Sequence, residues 1–349
     1  MTPSQHRYLF VTNSHSGGGA ERASNILVNS LTDKGQKVAL VVVNQGEHDL
    51  VEPRCDVYEL RKKHQGGFFD LLKTIIKLQH VVSSWKPTHI VLNCDAPEFL
   101  GCFQFTFAKI IVTEHSSQPW GTRKVIGKVV RKLLRMRHAR FVAVSSHLRI
   151  WPHGRQPDTW INNPIQVDTR PASSKPSITD YRISRLVFIG RLSHEKQPNV
   201  LLEIGNLVGL RVLFIGTGKM KGVLENSAAI LNVDAVFLGQ VKDPWAHIKP
   251  QDLLVIPSLF EGDGLVLVEG LSLNTPILVS DIADLKRFNL PNSNYFSKPE
   301  NAVELIISQN FKVGSFKVPA KIRDRIIRER QSGKIADQWI LYLNGQRSG

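Results

Sequence analysis

The sequence predicts an α/β protein with two domains in tandem, each built on a parallel sheet. Short apolar segments typical of buried strands alternate along the chain with segments of helical spacing. Strands that alternate with helices imply parallel sheets with crossover helices. The alternation breaks once, between 164 and 184, and then restarts. The chain has 349 residues, which is long enough for two domains of ordinary size, each with its own core.

The first half of the chain contains five predicted strands and two predicted helices. The strands are apolar runs at 8–12, 38–43, 89–92, 110–113 and 141–144. The helices cover 20–34 and 70–85, where apolar residues recur at spacings of three and four. We assign these elements to a first domain over 1–168.

The second half repeats the pattern. Strands are predicted at 185–189, 212–215, 236–238, 252–257 and 277–280, and helices at 198–208, 219–230 and 265–273. The segment 164–184 carries three prolines and several serines, and we interpret it as an interdomain linker. We place a second domain at 169–334 and expect a helix near 335–349 to pack back on the first. Since ligands of open parallel sheets bind beyond the carboxyl ends of the strands, one cleft shared by the two domains is expected.

Charge is distributed unevenly along the chain. The formal net charge is +15, and the stretch between Glu114 and Asp158 holds ten Lys or Arg and no acidic residue. Such a field attracts polyanions, either nucleic acid or an anionic membrane. The sequence has no apolar run of about 18 residues that could span a membrane. The N-terminus lacks signal-peptide architecture. We expect a cytoplasmic protein, peripheral on the inner face of the cell membrane.

Within this stretch, residues 123–140 have the pattern of a basic amphipathic helix. Its apolar residues recur at spacings of three and four, and its cations suit a membrane or acceptor surface. The cations assigned to that surface are Arg123, Lys124, Lys128, Arg131, Lys132 and Arg135. The alternatives are a core-packed helix with a charged outer face, or a nucleic-acid contact. Because base-stacking aromatic residues are not interleaved here, a nucleic-acid partner is not expected.

Two glutamates eight positions apart mark the most informative segment. Glu261 and Glu269 flank a glycine turn formed by Gly262, Asp263 and Gly264, which follows an apolar strand and opens a helix. Glycines allow close backbone approach, and a helix N-terminus favours negative charge. The carboxylates add acceptors suited to sugar hydroxyls. The segment therefore predicts a pocket for a ligand that is part phosphate and part sugar; the alternative is a solvent-exposed pair at a helix start.

Two further loops follow predicted strands. Gly190 and Arg191 come directly after the strand 185–189, with Lys196 close behind. A guanidinium and an ammonium placed together can neutralise a diphosphate, although a solvated surface loop is the plain alternative. The glycine triplet 17–19 opens a helix after the first strand and predicts either a diphosphate-facing loop or a flexible turn.

One histidine also ends a predicted strand. His115 can hydrogen-bond a sugar hydroxyl or shuttle a proton, and a structural role is the alternative. The other histidines and the three cysteines show no metal-ligand spacing, so no protein-bound catalytic metal and no cofactor are expected.

Together these residues resemble the GT4-type retaining glycosyltransferases, which use nucleotide sugars and have the two-domain GT-B fold. The resemblance covers nearly the whole chain. It is carried by the two glutamates followed by Thr275-Pro276, by Gly18 to Arg22 (GGAER), by Gly190-Arg191-Leu192 with Lys196, and by Asn163 to Ile165 (NPI). Four matches in the right order make it specific.

The resemblance implies a role for each matched residue. Arg191 and Lys196 hold the donor diphosphate, Glu269 binds the ribose, and Glu261 contacts the donor sugar. Backbone amides from Asp263 to Leu265 contact sugar and phosphate. The remaining donor contacts are Gly18, Gly19, Gly190, Gln240, Val241, Gly262, Gly264 and His115. Asp263 stands where an aromatic residue is common, which leaves the donor sugar open.

The resemblance also implies the reaction. A sugar passes from a nucleoside diphosphate sugar, most often a UDP-sugar, to a saccharide acceptor with its anomeric configuration kept and without a metal. The basic first domain suggests a lipid-linked saccharide or a lipopolysaccharide core as acceptor. The alternatives are a non-enzymatic basic nucleic-acid-binding protein, or a GT-B relative such as a sugar-nucleotide epimerase or a phosphorylase.

Overall fold

The computed structural model describes residues 6–15, 18–44, 51–63, 67–116, 119–166 and 181–345. Gly17, the expected domain boundary at 168 and most of the expected linker lie outside these ranges. The chain divides into two compact units. Unit 1 comprises residues 1–166 and 330–349, and unit 2 comprises residues 167–329.

Unit 1 contains a parallel sheet with the strand order β3-β2-β1-β4-β5-β6-β7. Its strands are β1 (Arg7–Thr12), β2 (Lys37–Asn44), β3 (Asp56–Lys62), β4 (His89–Asn93), β5 (Lys109–Glu114), β6 (Arg140–Ala143) and β7 (Thr159–Trp160). Its helices are α1 (Gly19–Asp33), α2 (Phe68–Trp85), α3 (Asp95–Gly101), α4 (Lys124–Met136) and α11 (Ser332–Leu343).

The helices of unit 1 cover both faces of this sheet. Because side chains alternate along a strand, Leu9 and Val11 of β1 point to one face, and Tyr8 and Phe10 to the other. The first face packs against α2, α3 and α4, and the second against α1 and α11. The central strands are thus buried on both sides, which explains their continuous apolar runs.

Unit 2 contains a second parallel sheet with the order β10-β9-β8-β11-β12-β13. Its strands are β8 (Arg185–Ile189), β9 (Arg211–Ile215), β10 (Ala235–Phe237), β11 (Asp252–Ile256), β12 (Ile277–Ser280) and β13 (Tyr295–Phe296). Its helices are α5 (Asn199–Val208), α6 (Lys221–Ile230), α7 (Leu265–Ser272), α8 (Ala283–Lys286), α9 (Pro299–Ser308) and α10 (Ala320–Glu329).

After α10 the chain returns to unit 1. Ile165 forms a parallel bridge with Gln331, and α11 then packs beside α1. Trp339 of α11 is buried, with its ring 6.1 Å from that of Phe10. In the part of the chain that the structure describes, no helix combines the length and the apolar character needed to cross a bilayer.

The predicted fold class is confirmed, since both sheets are parallel and carry crossover helices. Three elements of unit 1 were missed, and one of them, β7, has only two residues. Strand β3 (DVYELRK) is charged and lies at the sheet edge, so it lacks the apolar run of a buried strand. Helix α3 has seven residues and an internal proline, so it is too short to show a helical period.

Candidate active site

The predicted site residues of unit 2 lie at the carboxyl edge of its sheet. Residues 190–196 follow β8, and residues 258–264 follow β11. Because β8 and β11 are neighbouring parallel strands, the two loops leave the sheet side by side. The topology therefore brings together two motifs that are about 65 residues apart in sequence.

The loop after β8 packs backbone against backbone with the loop after β9. The N–H of Gly190 donates to the carbonyl of Ile215 at 2.9 Å, and the N–H of Leu192 to that of Thr217 at 2.8 Å. Gly216 has a φ of +134°, and a Cβ there would lie 2.0 Å from the carbonyl oxygen of Gly190. Only glycine fits this position. The sequence analysis did not single out Gly216, although the run Gly216-Thr217-Gly218 after a strand was a usable signal.

Lys196 and Glu261 form an ion pair between the loops after β8 and β11. The Nζ of Lys196 lies 2.6 Å from Oε1 of Glu261, and the Ser258 hydroxyl donates to the same oxygen at 2.7 Å. The side chains are 28% and 11% exposed, so the pair is largely shielded from water. Two residues predicted from separate motifs thus lie in direct contact.

Helix α8 fixes the glycine turn from the other side. The N–H of Glu261 donates to the carboxylate of Asp284 at 2.9 Å, and Arg287 donates to the carbonyl of Asp263 at 2.7 Å. The Arg287 guanidinium also lies 3.3 Å from the Asp263 carboxylate, which is 4% exposed. The Asp263 side chain is therefore buried and engaged by Arg287. Sequence reasoning identified neither Asp284 nor Arg287, since no motif connects them to the turn.

Helix α7 starts immediately after the turn. Gly264 precedes it with φ +67° and ψ +38°, a left-handed conformation that favours glycine. Leu265 is the first helical residue. The first N–H groups of a helix have no partner within the helix, so this end favours an anion.

Glu269 lies within α7 and is positioned by a buried tryptophan. The indole N–H of Trp245 donates to Oε2 of Glu269 at 3.0 Å. Trp245 belongs to a short 3-10 helix, Pro244–His247, and the carboxylate of Asp243 accepts from its backbone N–H at 3.0 Å. The contact between this tryptophan and Glu269 was not predicted, because the two residues are 24 positions apart and a strand lies between them.

Arg191, Gln240 and Val241 also lie at this edge. The Arg191 side chain is 64% exposed, with its guanidinium 3.9 Å from Glu195. Gln240 is exposed, and Val241 packs with Ile189 over the ends of β8 and β9. Arg191 therefore presents its charge to solvent, whereas Lys196 is the more buried cation of this loop.

The predicted residues of unit 1 lie at the carboxyl edge of its own sheet. Gly18 and Gly19 precede and open α1 after β1, and His115 follows β5. Strand β4 lies between β1 and β5 in the sheet. His115 Nε2 is 3.2 Å from Oδ1 of Asn93, at the end of β4. The roles of these three residues stay predictions.

The assignment of Arg131 to an exposed acceptor or membrane surface is wrong. Its side chain is 1% exposed and pairs with Glu98 of α3 at 2.6 Å and with Glu114 of β5 at 2.5 Å. The Trp120 indole also donates to Glu98 at 3.1 Å, and the Trp151 backbone N–H to Glu114 at 3.3 Å. Two carboxylates and these donors compensate the buried charge.

Among the cations assigned to that surface, Arg131 is the one that helix α4 buries. The buried face of the helix consists of Gly127, Val130, Arg131 and Leu134. Its outward face is mixed, because several of its apolar residues are exposed among the cations. These exposed apolar residues are Val125, Ile126, Val129, Leu133 and Met136. Arg123, Lys124, Lys128 and Lys132 are exposed and Arg135 is half-buried.

Among the residues that the structure describes, no group of three or more His, Cys, Asp or Glu side chains is arranged to hold a metal ion. The expectation of a metal-independent site stays a prediction.

Comparison with solved structures identifies the class of fold. Anabaena HepE, solved in complex with UDP and glucose, matches with a TM-score of 0.75 over 97% of this chain and 100% of HepE, at 17% sequence identity. HepE is a protein of the GT-B architecture, and the likeness shows that this chain has the same fold. The predicted GT-B fold is confirmed.

Sequence comparison links part of the chain to a family of glycosyltransferases. Residues 177–308 match the family model described as glycosyl transferases group 1. The phosphatidyl-myo-inositol mannosyltransferase of Mycobacterium leprae is 29% identical over 51% of this chain and 50% of its own length. The putative teichuronic acid biosynthesis glycosyltransferase TuaC of Bacillus subtilis is 31% identical over 34% of this chain and 30% of its own length. Residues 177–308 thus carry the sequence pattern of the group 1 glycosyl transferases, which agrees with the GT4-type resemblance predicted from the motifs.

The matched region lies mainly in unit 2 and includes the loops after β8 and β11. The chain spans half or less of the length of the first curated relatives that it matches.

Proposed function

We propose that the protein is a retaining glycosyltransferase that moves a sugar from a nucleoside diphosphate sugar to a saccharide acceptor. The observation that carries this proposal is the contact between Lys196 and Glu261 at 2.6 Å beside the N-terminus of α7. This supports the proposal because a cation that can bind phosphate, a carboxylate that can accept from sugar hydroxyls and a helix end that favours anions follow neighbouring strands at one sheet edge. The UDP and glucose bound by HepE support a UDP-sugar as donor.

In this proposal the barrier is set by departure of the nucleoside diphosphate, which gains negative charge as the anomeric C–O bond breaks. Arg191, Lys196 and the first amides of α7 supply positive potential directed at that charge. Since an ammonium carries three donors, Lys196 can bind a phosphate oxygen while it keeps Glu261. These groups do the work that a divalent cation does in other transferases, and we propose that no metal is needed.

The two glutamates have separate roles. Glu269 accepts hydrogen bonds from the ribose hydroxyls, and the Trp245 indole at 3.0 Å holds its carboxylate in place. Glu261 contacts the donor sugar, and Ser258 at 2.7 Å orients it. The acceptor oxygen bonds to the anomeric carbon on the face that the phosphate leaves, and its proton passes to a phosphate oxygen. The anomeric configuration is kept.

For the acceptor we propose a lipid-linked saccharide, a lipopolysaccharide core or another precursor of a surface polysaccharide. The name of the mycobacterial mannosyltransferase contains phosphatidyl-myo-inositol, and that of TuaC contains teichuronic acid biosynthesis; both names support an acceptor of this kind. We place the protein on the inner face of the cell membrane, with the exposed cations of α4 near lipid phosphates.

The first experiment identifies the donor. Thermal unfolding is measured with a panel of UDP-, GDP- and ADP-sugars, because a ligand that binds only the folded state raises its stability. Transfer to a saccharide acceptor is then assayed for Lys196→Ala and Glu269→Ala. Lys221→Ala and Glu225→Ala are matched controls, since they break an exposed ion pair of 3.6 Å on α6 in the same unit.

We expect transfer to fall at least about 100-fold in Lys196→Ala, as for loss of a transition-state donor. Transfer should also fall in Glu269→Ala, because the ribose hydroxyls lose their acceptor, and it should stay near wild type in the controls. Wild-type transfer by Lys196→Ala contradicts the proposal. An inverted anomer in the product contradicts retention, and loss of activity with a chelator contradicts metal independence. Conversion of the donor without acceptor would instead indicate an epimerase.

A further inference from the structure

Unit 1 exposes a group of large apolar side chains on the outer side of α2 and on the loop after α3. We call these residues the aromatic face; they are Phe68, Phe69, Leu72, Ile76, Phe105 and Phe107. Phe68 and Phe69 are 73% and 77% exposed, and Phe105 and Phe107 are 88% and 109% exposed. Large contiguous apolar surfaces of this kind mark interaction sites in soluble proteins.

On α2, the exposed apolar residues form a stripe opposite the core. Leu78, Val81 and Val82 point into the core of unit 1. Phe69, Leu72 and Ile76 follow at spacings of three and four on the opposite side, so they form a second apolar stripe that faces outward. The helix is apolar on both sides, and only one side is covered by the protein.

In the loop between α3 and β5 a polar side chain is buried and apolar side chains are exposed, which is the reverse of an ordinary surface loop. Gln104 is 3% exposed and donates to the Leu100 carbonyl at 2.9 Å, whereas Phe105 and Phe107 project outward. The backbone of Phe105 is held at both polar groups by the Gln79 amide, at 2.7 and 3.1 Å. The side chains of Gln79 and Gln104 thus form hydrogen bonds that hold the loop in place, and the aromatic rings project outward from a fixed backbone.

The outer side of α4 continues this surface. Helices α2, α3 and α4 pack on the same face of the sheet, and Arg137 at the end of α4 donates to the Gln104 carbonyl at 2.6 Å. Ile126 and Leu133 lie on the Arg137 side of α4 and are 48% and 40% exposed. The apolar flank of α4 therefore points towards the aromatic loop.

Cations surround this apolar surface. Lys73 and Lys77 flank the stripe of α2, and Asp70 is the single acidic residue in 68–85. Lys128 and Lys132 lie on the outer side of α4 in a stretch without acidic residues. The pattern of exposed aromatic and aliphatic residues bordered by lysines is that of proteins that lie in the membrane interface.

We propose that the aromatic face inserts into the interfacial region of an anionic lipid bilayer, with the lysines of α2 and α4 bound to lipid phosphates. A second copy of the chain fits less well, because a two-fold interface sets the same cations against each other. The proposal does not depend on sugar transfer, and it goes beyond attraction by α4 alone, since insertion of phenylalanine persists at a salt concentration that screens the lysines.

Flotation with lipid vesicles tests the proposal. The full chain is mixed with vesicles of phosphatidylcholine, with or without about one third phosphatidylglycerol, at low salt and in 0.5 M NaCl, where screening is strong. Phe105→Ser combined with Phe107→Ser is compared with wild type. Ile230→Ser, at an apolar residue of α6 in unit 2 that is 83% exposed, is the matched control.

We expect wild type and Ile230→Ser to bind the anionic vesicles equally and to retain part of this binding in high salt. The double variant should bind at least about tenfold more weakly and lose its binding in high salt. Equal binding by the double variant and wild type overturns the proposal. The proposal is also overturned if wild type shows no vesicle binding but forms a dimer that the double substitution abolishes.

A second measurement locates the ring. In Phe105→Trp, the new indole should be quenched by lipids brominated on the acyl chain, whereas the indole of Ile230→Trp should not. Equal quenching in both variants contradicts insertion. Donor-induced thermal shifts measured on the same samples test the sugar-nucleotide site independently, so failure of one proposal is distinguishable from failure of the other.

Discussion

At the residue scale, Arg131 shows how a charge is accommodated in the core of unit 1. Its guanidinium is bound by two carboxylates from different elements and by the Trp151 carbonyl at 2.9 Å. Burial raises the pKa of Glu114, while Arg131 opposes that rise. Each member of this cluster depends on the others, because an uncompensated charge in a dry site is costly.

Arg131→Met should therefore destabilise unit 1 by about 3–5 kcal/mol, since Glu98 and Glu114 lose their shared cation. The neighbouring substitution Lys132→Met removes an exposed cation of the same helix and should change stability by about 0.5 kcal/mol at most. Urea unfolding at pH 7 measures both. Equal stability of the two variants would show that the buried cluster contributes nothing.

His89 gives the fold a dependence on pH. Burial lowers the pKa of this histidine from 6.5 to about 4, with smaller contributions from Lys109 and His6. Below pH 6.5 this histidine becomes protonated in the unfolded chain, whereas in the folded chain it stays neutral until about pH 4. Stability due to His89 is therefore complete above pH 6.5 and falls as the pH drops through this window.

Between pH 6.5 and 4, we expect wild type to lose stability relative to His89→Gln by up to about 1.4 kcal/mol per pH unit. Unfolding by urea at several pH values measures the difference, and the other titrating groups cancel between the two proteins. Parallel stability curves for the two proteins would contradict the prediction.

The site residues that could be predicted from the sequence are those that belong to a local motif. Arg191, Lys196, Glu261 and Glu269 follow strands in a recognisable spacing. Their partners come from elsewhere: Trp245 contacts Glu269, and Asp284 and Arg287 hold the turn. These contacts depend on side-chain positions across different loops, which no spacing in one sequence encodes.

At the element scale, the accuracy of prediction follows burial. Strands buried on both faces appear as unbroken apolar runs, so β1, β2, β8 and β11 were found within about two residues at each end. Helix α4 was predicted over 123–140 but ends earlier, at Met136, and the burial of Arg131 was not predicted, because apolar residues occupy both sides of the helix. When apolar residues lie on both sides of a helix, their spacing does not show which side packs against the core.

The loops after β8 and β9 depend on glycine. Gly216→Ala places a Cβ 2.0 Å from a backbone oxygen at a φ of +134°, so we expect a loss of about 2 kcal/mol or more and weaker UDP binding. Gly222→Ala is the matched control. Gly222 lies in α6 with no atom within 4 Å of an added Cβ, and its substitution should be neutral or stabilise by up to about 1 kcal/mol. Thermal unfolding and calorimetric titration with UDP are measured for both variants. Unchanged UDP affinity in Gly216→Ala would show that this contact between the two loops does not contribute to UDP binding.

At the scale of the whole molecule, each unit has its own core, and the core of unit 1 includes residues from the last helix. Trp339 and Leu343 of α11 pack with Phe10 and Leu31. Trp339→Ala should destabilise unit 1 by about 3–5 kcal/mol through the cavity it leaves, while Leu341→Ala, at an exposed position of the same helix, should have little effect.

Hydrogen exchange measured by mass spectrometry locates the effect. Protection should fall in β1 and β2 of unit 1 in Trp339→Ala and stay unchanged in β8 and β9 of unit 2. A uniform loss of protection across both units would show that the two cores do not behave as independent folding units.

The return of α11 to unit 1 also sets an order of events during protein synthesis. A ribosome delivers β1 and α1 first, but the part of the sheet face that α11 covers stays open until all of unit 2, residues 167–329, has been made. Unit 2, which is contiguous, can close before the unit that precedes it. Through most of its elongation the nascent chain therefore lacks the α11 residues that pack against Phe10 and Leu31. In this period we expect a chaperone to bind the incomplete core.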